Sequence, residues 1–249
     1  MKRKLVVLIL AAGKGKRLGG ESQKVVKKLF DKPLLLYLIE TVEMLKPDRI
    51  VLVVGHKKEE VFEQMKDRKV EYVEQQLPMG TGHAVMQADE VLKDYHGDIL
   101  ILCGDVPFIT ISTLKKLIET HTSNRNCGTI LTVYPENPFG YGRIIRNGKG
   151  TVESIAEEIN ATEEEKAIKE VNAGVYIFNK KKLFTALKYL KPDRIKGEYY
   201  FTDVVEILSS QGQTINTYTT DKPEECIGIN TSEDFRKAET LLRRIKYNG

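Results

Sequence analysis

The 249 residues include no tryptophan, only three cysteines and no long apolar run. The longest, Leu5 to Ala12, falls far short of the ~20 residues that span a bilayer. A basic and then apolar N-terminus faintly imitates an export signal, but residues 13–17 (Gly-Lys-Gly-Lys-Arg) follow at once and leave no small-residue cleavage site. Cys103, Cys127 and Cys226 are odd in number, widely spaced and without a CxxC pair, so they predict neither a disulfide framework nor a zinc site. Reduced thiols in the cytoplasm are the expectation. A net charge of +4, with no block of like charge, argues against a nucleic-acid or membrane partner. There is no linker, low-complexity tract or internal repeat. Charged residues at 30% and apolar ones at 41% fit an ordinary soluble globular chain, long enough to bury roughly three quarters of its unfolded surface.

What is present is an alternation of strand and helix patterns. Lys4 to Leu10 reads as a continuous apolar strand of a buried parallel sheet. A helix follows over Pro33 to Leu45, with Pro33 in its first turn. Then come a strand at Ile50 to Val54, a helix at Lys57 to Lys66, a short strand at Val70 to Val73 and a helix at Gly82 to Leu92. Ile99 to Leu102 is another buried strand, and Ser112 to His121 a helix with Ser112 as its N-cap. Repeated β-α-β units with short links predict an α/β fold: a doubly wound, mostly parallel, Rossmann-like sheet. The second half changes character. Strands are expected at Thr129 to Val133, Gly142 to Ile145, Thr151 to Ile155 and Val171 to Phe178, with Gly148 and Gly150 in one tight turn. Helices follow near Lys181 to Leu190, Thr202 to Ser209 and Ser232 to Lys246. The later strands should extend one edge of the sheet and wall a pocket. A single domain, 1–249, is expected.

Three segments carry polar chemistry at strand ends. After the first strand comes Leu10-Ala11-Ala12-Gly13-Lys14-Gly15-Lys16-Arg17-Leu18. Glycines let the backbone turn and bring N–H groups against phosphate oxygens, and the cations add charge. An ordinary glycine-rich turn with solvated lysines is the alternative. The segment is neither a dinucleotide fingerprint, because Leu18 takes the third glycine's place, nor a Walker A loop, because no Gly-Lys-Ser/Thr follows. The second segment, Gln75-Gln76-Leu77-Pro78-Met79-Gly80-Thr81-Gly82-His83-Ala84, is a loop entering a helix with Thr81 as a possible N-cap; His83 reads as structural rather than catalytic. The third, Cys103-Gly104-Asp105-Val106-Pro107, sets a carboxylate just past a buried parallel strand, where open α/β sheets bind ligands; a turn-capping Asp is the alternative.

Together these segments resemble the sugar-nucleotide pyrophosphorylases. Leu10, Gly13, Gly15 and Arg17 match that family's Leu-x-x-Gly-x-Gly-x-Arg, and Lys24 its following lysine. Gln75, Gly80, Thr81, Gly82, His83 and Ala84 match Gln-x-x-x-x-Gly-Thr-Gly-His-Ala, and Gly104-Asp105-Val106-Pro107 matches Gly-Asp-x-Pro. The likeness covers nearly the whole chain and is greatest to the pyrophosphorylase domain of the bacterial N-acetylglucosamine-1-phosphate uridyltransferases. It implies a nucleotidyltransferase type A-like fold with a sugar-binding β extension, the nucleotide part spanning roughly 1–125, the sugar part roughly 126–230 and a closing helix 232–246. It implies transfer of a uridylyl group from UTP to a sugar 1-phosphate, N-acetylglucosamine 1-phosphate before others, with release of pyrophosphate.

By the same resemblance, Arg17 and Lys24 are catalytic, and Leu10, Ala11, Ala12, Gly13 and Gly15 wrap the triphosphate. Gln75 and Gly80 read the uracil edge, an amide offering both donor and acceptor, with Thr81 beside them. Asp105 and Asn230 hold Mg²⁺, the one cofactor implied. Gly142, Glu157, Asn172, Tyr199 and Thr202 line the sugar and its phosphate. The nucleophile is an already anionic phosphate oxygen, so no general base is needed.

There are departures. Gln23 stands where the family has proline before the lysine, and should loosen that turn. Residues 157–161 lack the basic and acidic pair common after the family's glutamate, and Cys103 replaces a tyrosine of some relatives. No hexapeptide repeats of an acetyltransferase domain follow before Gly249, so either the protein only transfers the nucleotide or the sequence is a piece of a longer chain. Three other functions stay open: a pyrophosphorylase for another sugar such as glucose 1-phosphate, a cytidylyltransferase, and a non-catalytic binder of nucleotide sugars.

Overall fold

The structure is a computed structural model and describes residues 4–13, 15, 23–123 and 126–247. Its centre is β1 (Leu5–Leu10), six apolar residues buried on both faces. Val6 and Leu8 join the core on one face of the sheet, Val7 and Ile9 the core on the other, as the two-residue period of a strand requires. After the first loop a 3₁₀ turn at Lys24–Val26 leads into a small antiparallel hairpin, β2 (Lys28–Leu29) and β3 (Lys32–Pro33). Helix α1 (Leu34–Glu43) follows. Pro33, expected inside that helix, is instead its N-cap at φ −55°, pairing with Lys28 in the hairpin.

The chain then winds outward through β4 (Arg49–Val54), α2 (Lys58–Met65) and β5 (Glu71–Glu74). β4 lies parallel to β1, and β5 parallel to β4. Helix α3 (Thr81–Met86) is shorter than its apolar pattern suggests. Past Met86 the chain continues as turns, with i→i+3 bonds such as Ala88 N to Val85 O (3.1 Å) and Asp89 N to Met86 O (3.1 Å). It returns to the other side of β1 as β6 (Asp98–Cys103), again parallel. Helix α4 (Ile111–Ser123) is capped by Thr110, not Ser112: the Thr110 hydroxyl accepts from Thr113 N at 3.3 Å.

The second half adds mixed pairing. β7 (Gly128–Val133), the hairpin β8 (Arg143–Arg146) and β9 (Val152–Ala156), and the short α5 (Glu163–Lys166) precede β10 (Val171–Asn179). β10 inserts antiparallel between β6 and β7, and β8 with β9 branches from its start. After α6 (Lys180–Leu187) and α7 (Asp203–Ser210) comes β11 (Ile215–Thr220), parallel to β7 at the sheet edge. The closing α8 (Ser232–Tyr247) lies on the small hairpin through Leu29, Leu34, Ala238 and Leu242.

The main path of the large sheet runs β11-β7-β10-β6-β1-β4-β5. Buried residues of α1, α2 and α4 share one core, those of α3, α6 and α7 the other, so both faces are covered as the doubly wound expectation requires. The chain leaves β1 toward β4 and comes back to β6, so β1 and β6 flank the topological switch point. Ligand crevices of open α/β sheets form there, beyond the C-terminal strand ends. None of the helices among the described residues is long and apolar enough to cross a membrane.

Candidate active site

A cleft of about 680 Å³ opens at that switch point. Its floor is the end of β1 and the start of its loop, Leu10 to Gly13 and Gly15, and one wall is Cys103 at the end of β6 and Asp105 beyond it. The floor is fastened to its neighbours: Ala11 N donates to Val53 O (2.8 Å), and Gly104 N to Leu10 O (2.9 Å). Gly15 has φ +60°, and a Cβ there would sit 2.9 Å from Lys24 Cβ, so glycine lets the loop close upon the lysine. Arg17 lies outside the described residues, as do Lys14 and Lys16.

Lys24, Asp105 and Asn230 converge although distant in sequence. Lys24 Nζ is 2.5 Å from Asp105 Oδ2 and 3.0 Å from Asn230 Oδ1. Each is placed by its own local structure. Gln23 sets Lys24: its N–H donates to Glu60 Oε2 on α2 (2.7 Å) and its amide nitrogen to Ala11 O (2.7 Å). Its φ of −61° is the value proline would fix. The turn expected to be loosened is therefore held, by bonds a proline could not make. Asn230 is set by the capping of α8. Thr231 Oγ1 accepts from Asp234 N (3.1 Å), while the Asp234 carboxylate accepts from Asn230 N (3.0 Å) and Thr231 N (2.8 Å), the reciprocal bonds of a capping box. Asp105 O in turn accepts from Ile229 N at 2.8 Å. Further back, buried Glu225 accepts from Thr113 Oγ1 (2.6 Å) and Thr110 Oγ1 (3.0 Å), pinning the approach to Asn230 onto α4.

The opposite wall is the loop from Gln75 to Thr81. Gln75 is almost buried, and its Nε2 donates to Gly80 O at 3.0 Å. Gly80 has φ +100°, and a Cβ there would lie 2.5 Å from Tyr199 O and 2.8 Å from Tyr199 N. No other residue fits so close a backbone approach. Tyr199 N donates to Met79 O (2.8 Å), Gly82 N to Tyr199 O (2.8 Å) and Phe201 N to Thr81 Oγ1 (3.0 Å). The segment expected to close over a sugar phosphate is thus laced by main-chain bonds to the loop expected to read a base.

On that segment the structure distinguishes two adjacent tyrosines. Tyr199 packs against the apolar core, whereas Tyr200 and Glu198 line the cleft. Burial first, then the carboxylates of Asp193 and Glu198, pushes the Tyr200 phenol up to about 12. Its hydroxyl is buried and has no hydrogen-bond partner among the described residues, an exception to the rule that buried polar groups are paired. Sequence pattern cannot separate neighbouring tyrosines; only the strand-like pairing of 199 with the Gly80 loop decides which faces in.

Of the remaining expected sugar residues, Thr202 Oγ1 donates to Glu157 Oε1 at 2.7 Å. Asn172 Nδ2 donates to Tyr176 Oη (2.6 Å), its Oδ1 accepts from Gly174 N (3.0 Å), and its N–H donates to Gly142 O (2.9 Å). A β-bulge in β10, with Gly174 at φ +72°, creates that arrangement. Gly142, Glu157, Asn172, Tyr199 and Thr202 do not line the main cleft; the link is Cys103, whose Sγ would be 3.5 Å from a Cβ at Gly174. The Cys103 thiol is pushed up to about 12, by burial first, then by Asp105, with Glu157 also contributing. It stays protonated at neutral pH and is no nucleophile. The segment after Glu157 makes polar contacts of its own: Glu158 meets Arg143 Nη2 from β8 at 2.8 Å, and Asn160 Nδ2 donates to Asp193 (3.1 Å).

A cleft at the β1/β6 switch point, floored by a glycine loop and flanked by a lysine-carboxylate-amide cluster, is the arrangement of a protein that handles nucleotides. The nucleotidyl transferase family model matches residues 6–235, and the chain belongs to that family. It is 45% identical over 244 residues to the bifunctional protein GlmU of Thermoanaerobacter pseudethanolicus, covering 98% of this chain and 53% of the relative. It is 42% identical over 237 residues to GlmU of Streptococcus gordonii, covering 95% and 51%. The chain thus spans about half the length of the curated relatives it matches. In fold it is similar to a UDP-glucose pyrophosphorylase solved with UDP-glucose, at a TM-score of 0.78 and 19% identity over 97% of this chain and 99% of the other. That likeness shows the shared nucleotidyltransferase fold.

Proposed function

We propose that the protein joins UTP to N-acetylglucosamine 1-phosphate, forming UDP-N-acetylglucosamine and pyrophosphate. The observation that carries this reading is the meeting of Lys24, Asp105 and Asn230 at one point, between the glycine loop and the Gln75–Gly80 loop. A sugar phosphate oxygen attacks the α-phosphorus in line, and the bond to the pyrophosphate oxygen breaks. The nucleophile is anionic, so the chain supplies charge and position rather than a base. Lys24, with Arg17 by resemblance, offsets repulsion between the two anions and the charge on departing pyrophosphate.

The donor set fits Mg²⁺. Asp105 Oδ2 and Asn230 Oδ1 both point at one lysine nitrogen, so two hard oxygens already share a focus. Among the described residues no three His, Cys, Asp or Glu side chains gather to cage a metal. Two protein oxygens, completed by water and phosphate oxygens, suit an ion that sheds its waters reluctantly. When bound there, Mg²⁺ would neutralise phosphate charge.

For the sugar, the Glu157–Thr202 pair and the Asn172–Tyr176 pair beside Cys103 offer donors and acceptors to an acetamido group. Comparing kcat/KM for N-acetylglucosamine 1-phosphate and glucose 1-phosphate at saturating UTP tests this choice. The acetamido sugar is expected to win by roughly tenfold or more, since glucose lacks the amide donor and acceptor that would meet the hydrogen-bonding capacity these pairs leave over, each such bond contributing about 0.5–1.5 kcal/mol. A preference for glucose 1-phosphate overturns the sugar assignment and leaves the reaction class standing.

A further inference from the structure

The proposed reaction leaves His83 unused, yet both of its ring nitrogens face side-chain amides. Gln75 Nε2 is 3.0 Å from His83 Nδ1, and Gln87 Nε2 is 3.2 Å from His83 Nε2. Both amides are also oriented by carbonyls, which can only accept: Gln75 Nε2 donates to Gly80 O (3.0 Å) and Gln87 Nε2 to His83 O (3.1 Å). A neutral imidazole carries one N–H and therefore accepts at only one nitrogen. One of the two amides has to yield, and the tautomer decides which.

With the proton on Nε2, Nδ1 accepts the second hydrogen of the Gln75 amide. Both of that amide's hydrogens are then used inside the protein, and only its oxygen is left for the cleft. Gln87 turns its own oxygen toward Nε2–H and gives up the bond to His83 O. With the proton on Nδ1, Gln75 would turn its oxygen toward the ring and so against Gly80 O, which already accepts from Ala84 N at 3.1 Å. Gln75 is 5% exposed, while Gln87 is only half-buried. A mismatched pair costs more where water cannot repair it, so the Nε2–H form prevails.

We infer that His83 is a positioning residue for base selection: by accepting from Gln75 it holds the amide oxygen toward the cleft, making the site ask for a base with a ring N–H. This rests on the reading that Gln75 meets the base. Uracil presents such an N–H at N3; cytosine presents a lone pair at the same position. An amide free to turn could serve either pyrimidine, whereas a locked one discriminates.

Two measurements test it. Nitrogen-15 spectra of histidine-labelled protein, with the His83 signals assigned from their loss in His83→Asn, should show the Nε2–H tautomer; an Nδ1–H form overturns the inference without any assay. The ratio of kcat/KM for UTP to that for CTP should fall by about tenfold or more in His83→Leu. It should stay near wild type in His83→Asn, whose side-chain oxygen can accept in place of Nδ1. An unchanged ratio in His83→Leu, or an equal loss in both variants, refutes the lock. Gln75→Ala separates the two claims. If it leaves the ratio untouched, the base reading itself fails and the lock with it. If it collapses the ratio while His83→Leu does not, only the lock fails.

Discussion

A lysine ammonium and a divalent cation compete for the same two oxygens at Asp105 and Asn230 under the proposed chemistry. Lys24 occupies the focus, and Asp105 is its ion-pair partner at 2.5 Å with both side chains largely buried. Lys24→Met should therefore strengthen Mg²⁺ binding to the nucleotide-free protein while lowering kcat by on the order of 10²–10³, the usual cost of one preorganised charge at a developing anion. Calorimetric Mg²⁺ titration together with steady-state rates reads both, and weaker metal binding in Lys24→Met contradicts the shared focus. Asp105→Ala should abolish most turnover without unfolding the protein, because Ile229 is held by the main-chain oxygen of Asp105, not by its side chain, with Tm lowered only as far as Lys24 loses its ion-pair partner. A second residue-scale effect concerns pH. Asp203 is pushed up from 3.8 to about 6, by burial first and then by Glu157, Glu206 and Asp193. The folded chain holds that proton more tightly than the unfolded one. Its contribution is complete below about pH 4 and lost as pH rises past about 6. The Tm of wild type should accordingly fall relative to Asp203→Asn between pH 4 and 7; a constant difference between the two would show that Asp203 titrates normally.

At the scale of elements, the Gly80 loop and the 198–202 segment behave as one piece because main-chain bonds join them. Gly80→Ala has to break that join: its φ of +100° and the 2.5 Å approach to Tyr199 O leave no room for a methyl group. A strained backbone site of this kind costs about 1–3 kcal/mol. Calorimetry should show a lowered Tm, and kinetics a raised KM for both substrates; a rise for UTP alone would mean that the two segments are independent. The buried strands were legible in the sequence, since unbroken runs such as 5–10 and 99–102 leave little choice of partner face. β11 was not. Its residues, Ile-Asn-Thr-Tyr-Thr-Thr, bury fully only at the two ends, and an edge strand lacks the apolar period that announces a central one. The cap of α4 was misplaced by two residues because Thr110 and Ser112 each carry a hydroxyl oxygen able to accept from a helix-start N–H, and only the geometry at Thr113 N separates them. In the site, motif residues on strand ends were legible. Their orientation was not: Tyr199 against Tyr200, and the anchoring of Gln23 by Glu60, depend on partners dozens of residues away.

Over the whole molecule, the sheet sets two groups of polar residues on either side of Cys103. The parallel half, β5 to β6, ends in the glycine loop, Gln75 and Asp105; the mixed half, through the β10 bulge and the β8–β9 hairpin, sets Asn172 and Glu157 behind Cys103. Asn230 closes the circuit from the far end of the chain by way of the cap of α8. A transferase needs both halves at once, whereas a protein that merely holds nucleotide sugars needs no leaving-group stabilisation. The most direct test of the central claim is pyrophosphate release by the purified chain given UTP, N-acetylglucosamine 1-phosphate and Mg²⁺, with each omitted in turn and with excess chelator. The account predicts stoichiometric pyrophosphate and UDP-sugar only when all three are present, and near-complete loss in chelator. Tight binding of UTP without pyrophosphate release, or full release in chelator, would contradict it.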